Sequence, residues 1–450
     1  MNLENINSVY FIGVGGIGMS ALARYFNAIG KQVGGYDKTA SPLTDALINE
    51  GVFVHYDDNV DVIPALYKEK DCLVVYTPAI PKESVVLNFF LNGDWEVMKR
   101  SQVLGVITSN SFAVAVAGTH GKTTTSSMIA HLLDSTGVGC NAFLGGIASN
   151  YNSNLILNAE SNNSVVEADE FDRSFLTLSP DIAVVTSTDA DHLDIYGGHN
   201  ELLQSFKDFV GKLKESGTLI LRHGLNLQHK NTITYGFERE ADISVSSIKA
   251  ENGNYVFDVK STRGKYKGVQ VGLPGRHNIE NALATIAVAE LMGVDEVNIV
   301  KALKSFKGVK RRFERIITSE KLTYIDDYAH HPKELEMCIS SVKELYPNKK
   351  VTGIFQPHLF TRTRDFADDF AVSLDLLDEA ILMDIYPARE LPIDGVTSEL
   401  LLQKMTSTVK EIVQAKDVVE NIKNREIEVL LTLGAGDIDR LIEPLKLALS

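Results

Sequence analysis

Apolar and polar positions along this chain fall into blocks that switch repeatedly between strand-like runs and helix-like spacing. Residues 9–13, "VYFIG", form an apolar run ending in glycine, and from Met19 the apolar positions recur at helical spacing before a second run ends at Asp37. "CLVVYTPAI" and "VLGVITSN" read as further strands. "FAVAVAGTHGKTTTSSMIAHLLDSTG" predicts strand, tight turn and helix; "NSVVEADEFD" and "DIAVVTSTDADHLD" predict strands, "ELLQSFKDFVGKLKES" a helix, and "GTLILR" another strand. Period-two alternation in "ADISVSSIKAENGNYVFDVKS" and "YKGVQVGL" predicts hairpins, and the block closes with the helix of "PGRHNIENALATIAVAELMG". After the basic stretch "KGVKRRFE" the alternation resumes. "LTYIDDYAHHP", "KKVTGIFQPH", "EAILMDIYP" and "EIEVLLTLGAGD" predict strands running into loops, with helices over "KELEMCISSVKELYP" and "RTRDFADDFAVSLDLLD". Such alternation predicts α/β architecture, with mostly parallel sheets covered on both faces. The blocks divide at 1–106, 107–308 and 309–450.

Composition agrees with that division. The 450 residues suggest about three domains. A net charge of -15 disfavours non-specific binding to nucleic acid or to an anionic membrane, since both need a basic field. Three scattered cysteines, Cys72, Cys140 and Cys338, argue against a disulfide framework and for a reducing compartment. With no signal-type start and no apolar run of about 18 residues, the expected location is the cytoplasm.

Two glycine-rich turns carry most of the candidate chemistry. In "AVAGTHGKTTT" the segment Gly118-Thr119-His120-Gly121-Lys122-Thr123-Thr124 follows an apolar strand and opens a helix, as a phosphate cradle does. The common pattern places a glycine five positions before the Gly of GK[ST]. Here that position is Val116, so the loop is shortened. Lys122 would reach the outer phosphates, and the Thr123 hydroxyl would ligate magnesium. Hard oxygen ligands for that ion are offered by two acidic clusters at predicted strand ends: Glu167, Asp169, Glu170 and Asp172, and Asp189, Asp191, His192 and Asp194. The earlier turn contains Gly13, Gly15, Gly16 and Gly18, with Asp37 following 19 residues after Gly18. It fits a dinucleotide fingerprint, but the same turn binds any diphosphate, so a nicotinamide dehydrogenase stays open on these residues alone. In "RHNIENALA", His277 and Asn281 share a helix face beside Asn278, where asparagine could read a base edge or cap the helix. "IDDYAHHP" and "FQPHLFTRTRD" bring His330, His331, His358, Arg362 and Arg364 to predicted strand ends as candidate acids, bases or anion clamps.

Taken in order, "GVGGIGMSALA", "AGTHGKTTT", "EADEFDRSFL", "DADHLDIYG", "GRHNIENALA", "DDYAHHP", "FQPHLFTRTRD" and "LGAGDI" resemble the Mur ligase family over essentially the whole chain. The resemblance implies a Rossmann-like N-terminal domain that binds the UDP of a sugar substrate rather than NAD, a central P-loop ATPase domain, and a Rossmann-like C-terminal domain that holds an amino acid. It implies ATP and Mg2+ as cofactors and, from the branch it is closest to, UDP-N-acetylmuramate and L-alanine as substrates. A sibling activity that attaches a recycled tripeptide is the alternative. The implied chain is a monomer or weak homo-oligomer with no nucleic-acid or membrane partner. By motif, Gly118 to Thr124 hold the nucleotide with Asn278 and Asn281 on the adenine. Thr123, Glu167 and His192 serve the metal sites. Gly13, Gly15, Gly16, Gly18 and Asp37 serve the sugar nucleotide, and Tyr328, His330 and Arg362 the substrate side of the last domain. Lys122, His192, His358 and Arg362 are the implied catalytic set. Many relatives carry arginine after the PH of "FQPHLF"; this chain has Leu359.

Overall fold

The computed structural model describes residues 6–189, 193–251, 253–388, 390–407 and 409–450. The chain separates into two compact units. One comprises the chain up to Ser246 together with Val259–Tyr266 and Glu280–Leu303; the other comprises Ser247–Asp258, Lys267–Ile279 and Lys304–Ser450.

The first unit opens with five strands: β1 (Ser8–Ile12), β2 (Gln32–Tyr36), β3 (Phe53–His55), β4 (Cys72–Tyr76) and β5 (Glu96–Lys99). They form an all-parallel sheet in the order β3-β2-β1-β4-β5. This is the doubly wound arrangement, whose order reverses direction beside the strand that starts the fold. β1 is buried along its whole length, which is why it reads as a continuous apolar run rather than an alternating one.

The next strands are β6 (Phe112–Ala117), β7 (Asn141–Ala148), β8 (Ser153–Ile156), β9 (Asn163–Ala168), β10 (Ile182–Val185), β11 (Thr218–Arg222), β12 (Thr232–Gly236) and β13 (Ile243–Glu251). Their order is β13-β12-β11-β10-β6-β9-β7-β8, and the antiparallel pair is β7 with β8. The alternating stretch read as hairpins becomes β13, β14 (Asn254–Lys260) and β15 (Lys265–Gln270), side by side in chain order.

In the second unit, β16 (Glu314–Thr318), β17 (Thr323–Asp327), β18 (Val351–Phe355), β19 (Glu379–Leu382), β20 (Lys410–Ile412) and β21 (Val429–Leu433) form a sheet of order β16-β17-β21-β18-β19-β20. Only the β16–β17 pair is antiparallel. The described residues thus form an α/β protein with three sheets, the first and the last of them Rossmann-like.

Two expectations fail locally. "VLGVITSN" is not a strand: it lies in a helix, Arg100–Ser109, and the edge strand is the preceding β5. The N–H of Lys99 donates to Oε1 of Gln102 at 2.7 Å, closing the helix start. The buried positions Val103, Leu104 and Ile107 have helical spacing, a pattern that a run this short does not separate from a buried strand. The helix expected over "RTRDFADDFAVSLDLLD" is two helices, Phe360–Asp365 and Ala367–Leu374, broken at Phe366.

Candidate active site

The shortened loop is shaped by two left-handed glycines, Gly118 (φ +139°) and Gly121 (φ +82°), the second capping the helix Lys122–Ser135. Only glycine fits at 118. An added Cβ would lie 2.1 Å from Oγ1 of Thr186 and 2.8 Å from the amide N of Ser187. β10 runs parallel beside β6, so the residues just after it can fasten the loop. The N–H of His120 donates to Ser187 Oγ at 2.7 Å, Thr186 Oγ1 donates to the carbonyl of His120 at 2.5 Å, and the hydroxyls of Thr119 and Ser187 lie 2.9 Å apart. Thr123 and Thr124 follow at the helix start, both largely buried. The N-terminal amides and dipole of this helix are therefore held ready for an anion.

Lys122 donates to the carbonyl of Gly118 at 2.7 Å and to Glu170 at 2.9 Å. Burial works against its charge, but Glu170, Asp169 and Glu167 outweigh it and lift the lysine above its ordinary value. Glu170 is fully buried. Glu167 stands near the end of β9 in register with Val116 of β6 and accepts from the N–H of Gly145 at 3.1 Å. A threonine hydroxyl and a carboxylate are suitable hard donors for magnesium, which keeps several waters. Of the second acidic cluster, Asp189 faces His120 at 3.9 Å, whereas Asp191 and His192 lie outside the described residues, as does the side chain of Asp194.

Asn281 sits beneath the loop. Its Oδ1 accepts from Thr125 Oγ1 at 3.0 Å and would lie 3.1 Å from a Cβ at Gly121, so one side of this side chain braces the phosphate turn. Asn278, in the other unit, donates to the carbonyl of Pro274 at 2.6 Å.

In the first glycine turn, Gly13 has φ +90° and its N–H donates to the carbonyl of Tyr36 at 2.7 Å, while the N–H of Gly16 donates back to Gly13 at 3.2 Å. Asp37 does not project outward. One carboxylate oxygen accepts the N–H of Gly15 at 2.7 Å and the other that of Thr39 at 3.2 Å. Gly18 packs against the guanidinium of Arg100, whose Nη2 lies 3.9 Å from Asp169.

The second unit gathers a separate group. Asp327, at the end of β17, accepts from the N–H of Phe313 and of Ala329, each at 2.7 Å, and burial lifts its carboxyl to about 7. Arg311 and Arg312 cover the ring of Tyr328. The rings of His330 and His358 meet edge to face with centroids 5.9 Å apart. Burial, with help from His330 and Arg362, lowers His358 to about 4, so it is neutral at pH 7. Nδ1 of His358 and Nη1 of Arg362 are buried without a hydrogen-bond partner among the described residues. Leu359 caps the helix Phe360–Asp365 with φ +72°, a left-handed conformation unusual for leucine.

Sequence reasoning did not give Glu170 as the partner of Lys122, nor Thr186 and Ser187 as the loop's fasteners. It missed Arg100 altogether. Glu170 was visible as one acid among several; Arg100 had no local signal, because the helix it begins was read as a strand.

The chain matches three family descriptions in succession: "Mur ligase family, catalytic domain" over residues 8–112, "Mur ligase middle domain" over 116–289, and "Mur ligase, glutamate ligase domain" over 311–436. It is 52% identical over 446 residues to a UDP-N-acetylmuramate–L-alanine ligase of Flavobacterium psychrophilum, covering 99% of each chain. Among solved structures, the UDP-N-acetylmuramate–alanine ligase of Thermotoga maritima superposes with a TM-score of 0.82 at 27% identity, over 97% of this chain and 98% of that one. A murein peptide ligase from Psychrobacter arcticus shares the fold, with a TM-score of 0.69 at 21% identity over 98% of both chains. With three successive family domains and 52% identity from end to end, the chain belongs to the Mur ligase family.

Proposed function

We propose that this chain is an ATP-dependent ligase that joins L-alanine to the lactyl carboxylate of UDP-N-acetylmuramate, releasing ADP and phosphate, in the synthesis of peptidoglycan precursors. The observation that carries this reading is the 52% identity, end to end, with an alanine-adding ligase. The loop geometry supplies the chemistry. The three free cysteines, all buried, suit the reducing cytoplasm to which the reading assigns the enzyme.

A carboxylate is a poor acyl donor because its leaving group would be oxide. Transfer of the γ-phosphoryl group of ATP makes an acyl phosphate; the amine of alanine then attacks the carbonyl carbon, and the tetrahedral intermediate expels phosphate. In this reading Gly118 to Thr124 cradle the nucleotide. Lys122 leaves Glu170 for the outer phosphates, where its charge offsets what builds on the transferring oxygens. Thr123 and Glu167, with His192, would hold Mg2+, which polarises the phosphoryl group when bound. Asn278 and Asn281 serve the adenine. Residues 1–106 form the sugar-nucleotide domain, with Gly13, Gly15, Gly16, Gly18 and Asp37 at its turn; 107–308 form the ATP domain, and 309–450 the amino-acid domain. There Arg362 is the carboxylate clamp for alanine, Tyr328 and His330 serve the substrate side with it, and His358 or His330 is the candidate base for the ammonium proton.

Phosphate release measured with ATP, UDP-N-acetylmuramate and L-alanine, glycine, L-serine or the tripeptide in turn tests the reading. L-Alanine should give the highest kcat/KM; preference for the tripeptide would move the chain to the sibling activity. Oxygen-18 in the lactyl carboxyl should appear in the phosphate, and label in AMP would refute the acyl phosphate.

A further inference from the structure

Beside the first glycine turn lies a cavity of about 290 Å³, lined by Gly16, Ile17 and Gly18, by Arg100, and by Glu167 and Asp169. Two carboxylates face this space, and Arg100 is the only cation among its described lining residues. Lys122, the next cation along, is engaged by Glu170 and the carbonyl of Gly118.

The position of Arg100 is built. It is the first residue of the helix Arg100–Ser109, and the next residue is tied down from the neighbouring segment: Thr177 Oγ1 donates to the carbonyl of Ser101 at 2.7 Å. Its side chain crosses the start of the helix Ile17–Ala28 where that helix has no side chain to obstruct it. A Cβ at Gly18 would lie 3.0 Å from Nη1 and 3.1 Å from Cδ of Arg100. The last glycine of the first turn therefore makes room for an arginine from a different element. The guanidinium is mostly shielded from solvent, yet the neighbouring carboxylate of Asp169 stands at 3.9 Å, beyond hydrogen-bond distance.

An acyl donor with a free carboxylate would enter this space against Glu167, which the functional reading gives to Mg2+, and against Asp169, whose repulsion a neighbouring cation offsets. Guanidinium is suited to that task, since its planar fork fixes a carboxylate in one plane. We propose that Arg100 is a substrate-contacting residue that holds the carboxylate of the acyl donor, exchanging its loose pairing with Asp169 for a bidentate one with the substrate. The proposal rests on the reading of the acyl donor as a carboxylate-bearing UDP-sugar. It assigns Gly18 a second duty: keeping the path of that arginine open.

Calorimetry of the full chain with UDP, UDP-N-acetylglucosamine and UDP-N-acetylmuramate tests it, since only the last carries the lactyl carboxylate. Arg100→Met should weaken UDP-N-acetylmuramate about tenfold or more and leave the other two within about twofold. In steady state, KM for the sugar substrate should rise while KM for ATP holds. Arg100→Lys should restore part of the affinity. Gly18→Ala, which leaves every charge in place, should give a smaller loss with the same selectivity. Equal losses for all three nucleotides would put Arg100 on the diphosphate and overturn the proposal, and unchanged binding would make it a solvated helix start. If wild-type chain binds UDP-N-acetylglucosamine as tightly as UDP-N-acetylmuramate and releases no phosphate with alanine, the functional reading itself fails, and the proposal with it.

Discussion

The first compact unit contains two strand–turn–helix segments that begin alike. In each, a buried parallel strand runs into a left-handed glycine, Gly13 after β1 and Gly118 after β6, and a helix follows within a few residues. They part in how the turn is fastened and where its positive charge comes from. The second turn is clamped by hydroxyls from the adjacent strand end, Thr186 and Ser187, and carries its own cation, Lys122. The first is clamped by a carboxylate, Asp37, on the amide of Gly15, and has no cation within the turn; Arg100 reaches it from a helix that starts 82 positions after Gly18. One backbone device is thus equipped in two different ways. A loop that carries its own lysine keeps that charge in fixed relation to its helix start, whereas a loop approached by a distant arginine depends on the packing of another element.

The largest effect expected from breaking this contrast is at Lys122. Lys122→Ala should keep the fold and lower ligation about 100-fold or more, because the mutant loses a charge contact that strengthens in the transition state. Turnover near wild type, measured by phosphate release on a variant with an unchanged circular dichroism spectrum, would remove the loop from the chemistry.

An intermediate effect is expected at the glycines. Gly118→Ala introduces an L side chain at φ +139° and a Cβ 2.1 Å from Thr186, so it should cost about 1–3 kcal/mol in stability and weaken ATP. Gly16 has no such conformation, and its nearest neighbour to a new Cβ is at 3.4 Å; Gly16→Ala should cost under about 1 kcal/mol. Denaturant melts of the pair decide whether the second turn is the more tightly built.

The smallest effect on nucleotide binding is expected at Asp37. Both carboxylate oxygens are spent on backbone N–H groups, so Asp37→Asn should cost about 1 kcal/mol of stability and change UDP affinity only a few-fold. A tenfold loss of UDP binding with stability intact would instead show that Asp37 touches the nucleotide and is not a fastener of the turn.

The same contrast explains what could be read from the sequence. The second turn was legible because strand, glycines, lysine and threonine lie within eleven residues, and the physics of anion binding at a helix start acts over that distance. The parallel sheets were legible because strands buried on both faces are continuously apolar. What escaped was non-local. Arg100 begins a helix that resembled a strand, since four Val, Leu and Ile residues within eight positions satisfy either period. Glu170 is one of four acids in six residues, and nothing short of the fold says which of them turns inward to Lys122. The break at Phe366 had no proline or glycine to announce it.

The interleaving of the two compact units has a consequence for biosynthesis and for dissection. The chain passes from one to the other at 246/247, 258/259, 266/267, 279/280 and 303/304. The second unit draws structural partners from its early segments: Arg276 and Tyr255 both bond Glu344, and Arg315 bonds Asn254. A ribosome that has made 303 residues has translated every part of the first unit, whereas those early segments must wait, with their polar groups in water, for Arg315 and Glu344 to follow. A fragment cut at residue 309 would begin life without them. Expression trials that place the cut there should yield a chain prone to aggregate, and co-expression with the preceding portion should rescue it.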